Sequence, residues 1–176
     1  MTTRDELTEK LRGWFAGRLP DGLFEEAPGI IVDREEITVI GRIAVPATVP
    51  EASETERAVA VASRIKAFRE RSREARIAVA SEAEHSFGRK VSWGVVCGDT
   101  TQMFTTLSVP VMTRLRQSER TLLDTLVDAG VARSRSDALG WCVRQVGERA
   151  ETWLGDLREA MRKVEQVRAA GPDSQG

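Results

Sequence analysis

Histidine and cysteine are scarce in this chain: His85 stands alone, and Cys97 and Cys142 are the only cysteines in 176 residues. A structural zinc site takes roughly four clustered nitrogen or sulfur ligands. Neither cysteine belongs to a Cys-x-x-Cys pair, so no metal site is expected and both thiols read as reduced and mostly buried. A single histidine also leaves Ser–His or Cys–His catalysis with little support, and no phosphate-cradling or hydrolase loop is present, so neither an enzyme nor a cofactor is expected. Long apolar runs are missing as well, which excludes a membrane span on sequence grounds. The opening MTTRDELTEK carries acidic residues and leads into no apolar stretch, so a cytoplasmic location is expected. A large net charge is absent too: the formal value is -1, where a strongly basic balance is the usual footprint of nucleic-acid binding. There is no internal repeat and no low-complexity segment.

What is present suits a soluble globular protein, with 41% hydrophobic and 30% charged residues and length for one domain or two small ones. Residues 4–18 form a predicted amphipathic helix with Leu7, Leu11, Trp14 and Phe15 on one face, ended by the turn Leu19-Pro20-Asp21-Gly22. Residues 30–32 and 37–45 read as strands around the charged turn Asp33-Arg34-Glu35-Glu36. A connector with Pro46 and Pro50 follows. Residues 54–87 are helical, in one long piece on the periodicity alone, with Val61, Ile65, Phe68, Ser72, Ala75 and Val79 on one face and Gly88 closing the end. Residues 91–97 and a return strand from Gln102 toward Leu107 then flank the turn Gly98-Asp99-Thr100. Trp93 and Trp141, each beside a glycine, are expected to fill cores.

The densest basic stretch lies on that long helix: Arg64, Lys66, Arg69, Arg71, Arg73 and Arg76, interrupted by Glu70 and Glu74. Such a run ordinarily makes a solvated face supported by i,i+4 ion pairs. The alternative is an auxiliary phosphate-contacting surface at Arg64, Arg69, Arg73 and Arg76. Lys10, Lys66, Lys90 and Lys163 are the only lysines among 26 basic residues, a bias that carries no functional weight by itself.

Residues 103–148 hold the most informative pattern. Leu107, Val109, Val111, Thr113 and Leu115 alternate with Ser108, Pro110, Met112 and Arg114, the period of two of a half-buried strand. A helix opens near Gln117 with Leu122, Leu123, Leu126 and Val127 on its apolar side, and Gly130 ends it. Ser134, three residues before Asp137, opens a second helix whose stripe carries Leu139, Cys142, Val143 and Val146. This helix is expected to continue through Trp153, Leu157, Ala160, Met161, Val164 and Val167, and residues 171–176 to form a disordered tail.

The order strand, helix, helix with the junction Gly-x-x-x-Ser-Arg-Ser-Asp-Ala-Leu over residues 130–139 resembles the ribbon-helix-helix family of DNA-binding proteins, over about residues 105–148. The resemblance implies a homodimer in which one strand from each copy pairs into an antiparallel ribbon that enters the major groove of double-stranded DNA. It places Ser108, Met112 and Arg114 on the outward ribbon face, with Arg116 following, and makes the helix start at Ser134, Arg135 and Ser136 a phosphate anchor. Arg114 is the strong base reader of the set, able to fork onto guanine. Pro110 departs from the pattern, since it removes a ribbon donor. The segment 109–149 is only slightly basic, with 7 basic and 5 acidic residues.

The expected fold class is therefore α+β, in the order α-β-β-α-β-β-α-α. An N-terminal domain at 1–102 precedes a ribbon-helix-helix-like module with an extended C-terminal helix at 103–170, and the return strand feeds the ribbon so that the two share a sheet. The function implied is a homodimeric transcriptional regulator, its N-terminal domain open to a small effector or a protein partner. A dimeric interaction module or antitoxin-like partner, in which the fold serves assembly alone, is the alternative.

Overall fold

A computed structural model describes residues 4–47 and 51–170. The disordered tail expected at 171–176, and that part of the proline connector at 48–50, lie outside the described residues. The chain is mixed α+β and splits into two compact units, Met1–Val109 and Pro110–Gly176.

The first unit opens with α1 (Arg4–Arg18), then β1 (Gly29–Val32) and β2 (Glu36–Arg42). Asp33 makes the turn between these strands, its Oδ1 accepting the amides of Glu35 (2.9 Å) and Glu36 (2.7 Å). This is the local carboxylate-to-backbone bonding that favours Asp in turns. Next come α2 (Glu54–Arg71), α3 (Arg73–Phe87), β3 (Lys90–Cys97) and β4 (Thr100–Met103). The four strands form one sheet in the order β1-β2-β3-β4; β2 and β3 are parallel, and the two outer pairs are antiparallel. A parallel pair needs a long crossover, and α2 with α3 supplies it.

One sheet face carries Ile30, Val32, Ile37, Val39, Trp93, Val95 and Cys97, all buried against Leu11 and Phe15 of α1, Ile65 and Phe68 of α2, and Val79 and Ala83 of α3. The register pairs Val32 with Ile37 and Val39 with Trp93, which keeps this face continuous across three strands. Edge-to-face rings link the layers, with Phe15 against Trp93 at 6.2 Å and Trp14 against Phe87 at 5.5 Å. Trp93 and the Cys97 thiol are thus core groups, and burial pushes the Cys97 thiol above its ordinary pKa.

The helix expected over 54–87 is two helices. Ser72 sits between them at φ -90° and ψ 0°, its hydroxyl donating to the Phe68 carbonyl at 2.6 Å. Back-bonding of this kind competes with the helical ladder and bends the chain. Ser53 caps α2 through a full capping box with Glu56. Gly88 ends α3 with φ 64°, a left-handed conformation that side chains with a Cβ resist.

The second unit holds α4 (Gln117–Asp128), α5 (Arg135–Arg149) and α6 (Glu151–Ala170). The single C-terminal helix expected from the spacing is interrupted at Ala150, whose φ of -110° and ψ of 17° leave the helical region. Among its described residues only Leu123, Ala132 and Ala138 are buried, with Leu115, Leu126, Val127, Leu139 and Cys142 packed around them.

Candidate nucleic-acid interface

The segment that should form the ribbon is not a strand in the single chain. Beyond β4 the amides of Phe104 and Thr105 both reach the Trp93 carbonyl, at 2.7 and 3.4 Å. The Trp93 amide in turn donates to the Thr105 hydroxyl at 2.9 Å. Two amides on one carbonyl end the regular ladder, so the sheet does not run on into the ribbon as expected. Residues 105–116 have no regular secondary structure. The Leu107 amide goes to a Glu36 carboxylate oxygen at 3.1 Å, and Pro110 has no amide to donate. The alternation survives in the sequence but not in burial: Val111 is 82% exposed and Met112 98%. The expectation of a half-buried strand is therefore corrected, because among the described residues no strand pairs with this segment. Ser108, Arg114 and Arg116 are exposed along the same stretch.

The two helices that follow begin where the residues indicate, and α4 also ends there. The Arg116 amide donates to the Glu119 carboxylate at the start of α4. Gly130 closes the helix with φ 73°, the left-handed geometry of a glycine cap. At α5, Ser134 Oγ accepts the Asp137 amide at 3.2 Å, while the Asp137 carboxylate accepts the Arg133 amide at 3.0 Å, one residue earlier than a capping box requires. The Ser134 carbonyl takes the Ala138 amide. A helix start leaves its first amides without intrahelical partners, so those of Arg135 and Ser136 are the donors this geometry presents outward.

The Arg135 side chain is already engaged. Its Nε and Nη2 grip Asp124 Oδ1 and Oδ2 at 2.6 and 2.7 Å, a bidentate tie between α5 and α4. Hydrogen bonding from Arg135 holds the Asp124 carboxyl below the usual carboxylate range, and the same bond raises the Arg135 pKa. The Arg135 guanidinium thus braces α5 against α4, at the helix start expected to be the phosphate anchor.

Apolar side chains on this unit lack cover. Leu122, Val131, Val143 and Val146 are exposed, and on α6 Trp153, Leu157, Met161, Val164 and Val167 form an exposed row at spacings of three and four. Cys142, Val143, Val146, Gly147 and Leu154 line a shallow apolar hollow of about 350 Å³. Among the described residues no cluster of His, Cys, Asp and Glu could hold a metal ion, and no helix is long and apolar enough to cross a membrane.

The basic stretch of the first unit differs from a solvated face with i,i+4 pairs. Among the described residues, Arg64, Lys66, Arg69, Arg73 and Arg76 form no ion pair. Arg64 is half-buried, Arg69 and Arg73 are exposed, and Arg76 is only 7% exposed. Arg76 donates from Nε to Ser72 Oγ at 3.0 Å and from Nη2 to the Arg69 carbonyl at 2.8 Å. Its place was readable from spacing, since residues 68, 72, 76 and 79 lie on one helical face; its charge argued against putting it there.

Residues 9–103 match the family described as Rv1265-like protein, N-terminal domain, and residues 116–168 match the Mb1296 C-terminal domain. The chain belongs to the Rv1265-like family. It is 56% identical over 160 residues to the uncharacterized proteins Mb1296 of Mycobacterium bovis and Rv1265 of Mycobacterium tuberculosis, an alignment covering 91% of this chain and 69% of each relative. No solved structure matches it. These names state no activity, so the chemistry of the residues carries the functional reading. The unmatched stretch between the two family domains, 104–115, contains most of the exposed segment just described.

Proposed function

We propose that this chain is a homodimeric DNA-binding protein of the transcriptional-regulator type, in which a second copy pairs with residues 109–115 to form a ribbon-helix-helix unit. The observation that carries the reading is an exposed, alternating segment without a strand neighbour, directly followed by α4, the Gly130 cap and the Ser134-capped α5. A second copy of the segment supplies the missing backbone partners and turns Val109 and Val111 inward. The small core of the C-terminal unit supports the same step, because so few buried side chains do not stabilise a helical unit by themselves.

In this arrangement Met112 and Arg114 face the groove. Arg114 forks onto a guanine edge and Met112 offers apolar contact to a thymine methyl. Ser108 and Arg116 flank the ribbon. The Arg135 and Ser136 amides, beside Ser134, meet a backbone phosphate at the positive end of α5. The bracing of Arg135 by Asp124 sets the direction of those amides.

The exposed α6 row favours a second reading, an interaction module in which the same pairing serves assembly with another protein. Gel retardation with genomic fragments at two salt concentrations separates the two. The DNA reading expects retardation that weakens steeply with salt, and Arg114→Ala should relax sequence preference at a cost of about 1–3 kcal/mol. A protein that is dimeric yet retards no fragment at low salt overturns the DNA reading and leaves the assembly reading.

A further inference from the structure

We infer that the N-terminal unit carries a binding site for a small phosphate-bearing anion, built from Arg69, Arg73 and Arg76 around an open hollow beside Phe104. The hollow measures about 480 Å³ and is lined by Lys66, Arg69, Glu70, Arg73, Arg76, Ile77, Phe104 and Thr105. Small-molecule sites run roughly from 300 to 1,000 Å³, so a phosphate with a compact organic body is of fitting size.

The Arg76 guanidinium carries the argument. An arginine does not discharge itself by losing its proton, and a buried charge is costly unless paired. This one lies 7% exposed, with no carboxylate of the described residues in ion-pair reach. Its neighbours worsen the balance. Burial lowers its pKa, and the like charges of Arg69 and Arg73 lower it further. The compensation present is neutral: Ser72 Oγ, the Arg69 carbonyl and the face of Phe104, whose centroid is 4.9 Å from the Arg76 guanidinium carbon and 5.9 Å from that of Arg69. Two guanidinium groups on one ring with a third arginine at the rim form a set that an anion completes. Glu70 is the single carboxylate of the lining, so three arginines and Lys66 leave the site strongly positive.

Phosphate suits this set because its oxygens accept the paired donors of guanidinium groups. The apolar edge offered by Ile77 and Phe104 suits the organic part of the ligand. A DNA backbone presents the same phosphate chemistry, but it is convex and is met by exposed cations, whereas the buried Arg76 sits on the wall of a concavity. That distinction favours the small anion.

Isothermal titration of the full chain with inorganic pyrophosphate, at constant ionic strength, tests the site. Saturable 1:1 binding accompanied by a raised melting temperature is expected. Arg69→Ala and Arg73→Ala, both at exposed positions, should each weaken binding about tenfold or more, as the loss of a charge-assisted hydrogen bond does. Arg12→Ala, an equal charge change on exposed α1 surface, should leave it unaltered. Arg76→Met should abolish binding while the circular dichroism spectrum stays that of the wild type. No saturable binding at millimolar pyrophosphate overturns the proposal, as does an equal loss in Arg12→Ala. A short DNA duplex that displaces pyrophosphate stoichiometrically would also overturn it, making the hollow a DNA backbone contact.

Discussion

Val146 on α5 offers the most direct measurement of the proposed dimer. It is 59% exposed in the single chain and lines the apolar hollow with Cys142, Val143, Gly147 and Leu154. Val146→Ala removes the equivalent of about two methylene groups, worth ~0.8 kcal/mol each on full burial. Scaled by the fraction a partner must cover, the loss is about 1 kcal/mol per copy. A two-fold interface contains the residue twice, so the dimer loses about 2 kcal/mol, roughly a 25-fold rise in Kd. The monomer should not suffer, because alanine is the better helix former and nothing buried is removed. Sedimentation equilibrium over a concentration series reads the shift directly. Val59→Ala, at a valine 62% exposed on α2, is the matched control and should leave Kd unchanged. Equal Kd values for both variants and the wild type would place the interface elsewhere. A wild-type protein that is a folded monomer at micromolar concentration would refute the pairing altogether.

Trypsin should cut at Arg114 and Arg116 quickly in dilute protein and slowly in concentrated protein, since pairing removes the exposed segment from the protease; a concentration-independent rate argues against the ribbon. Phe68→Ala should cost the N-terminal unit about 3–5 kcal/mol in urea denaturation, because Phe68 is fully buried between Phe24 and Phe104; a loss below about 1 kcal/mol would contradict its place in the core. Asp124 has its folded pKa depressed by Arg135, so its stabilising effect is present at neutral pH, above the unfolded value, and is lost as pH falls through the folded value. Carbon NMR titration should give an Asp124 midpoint below the ordinary aspartate range, restored upward in Arg135→Ala; a midpoint at or above that range would refute the tie.

Local chemistry made much of this fold legible in the sequence. Asp33 in its turn, Gly88 and Gly130 past helix ends, and Ser134 before α5 act through bonds or φ angles within a few residues, so their positions suffice to place element boundaries. The helix period likewise marked Leu11, Phe15, Ile65 and Phe68 as core, since a one-sided apolar stripe has one place to go. Where the break at Ser72 falls, how Arg76 is buried and where Arg135 points depend on partners the local pattern does not name: a hydroxyl that bonds back to Phe68, an aromatic ring 28 residues away in the chain, and an aspartate on the preceding helix. The segment 105–116 is the opposite case. Its alternation is intrinsic to the sequence, yet a strand exists only where another backbone pairs with it, and among the described residues of one chain none does.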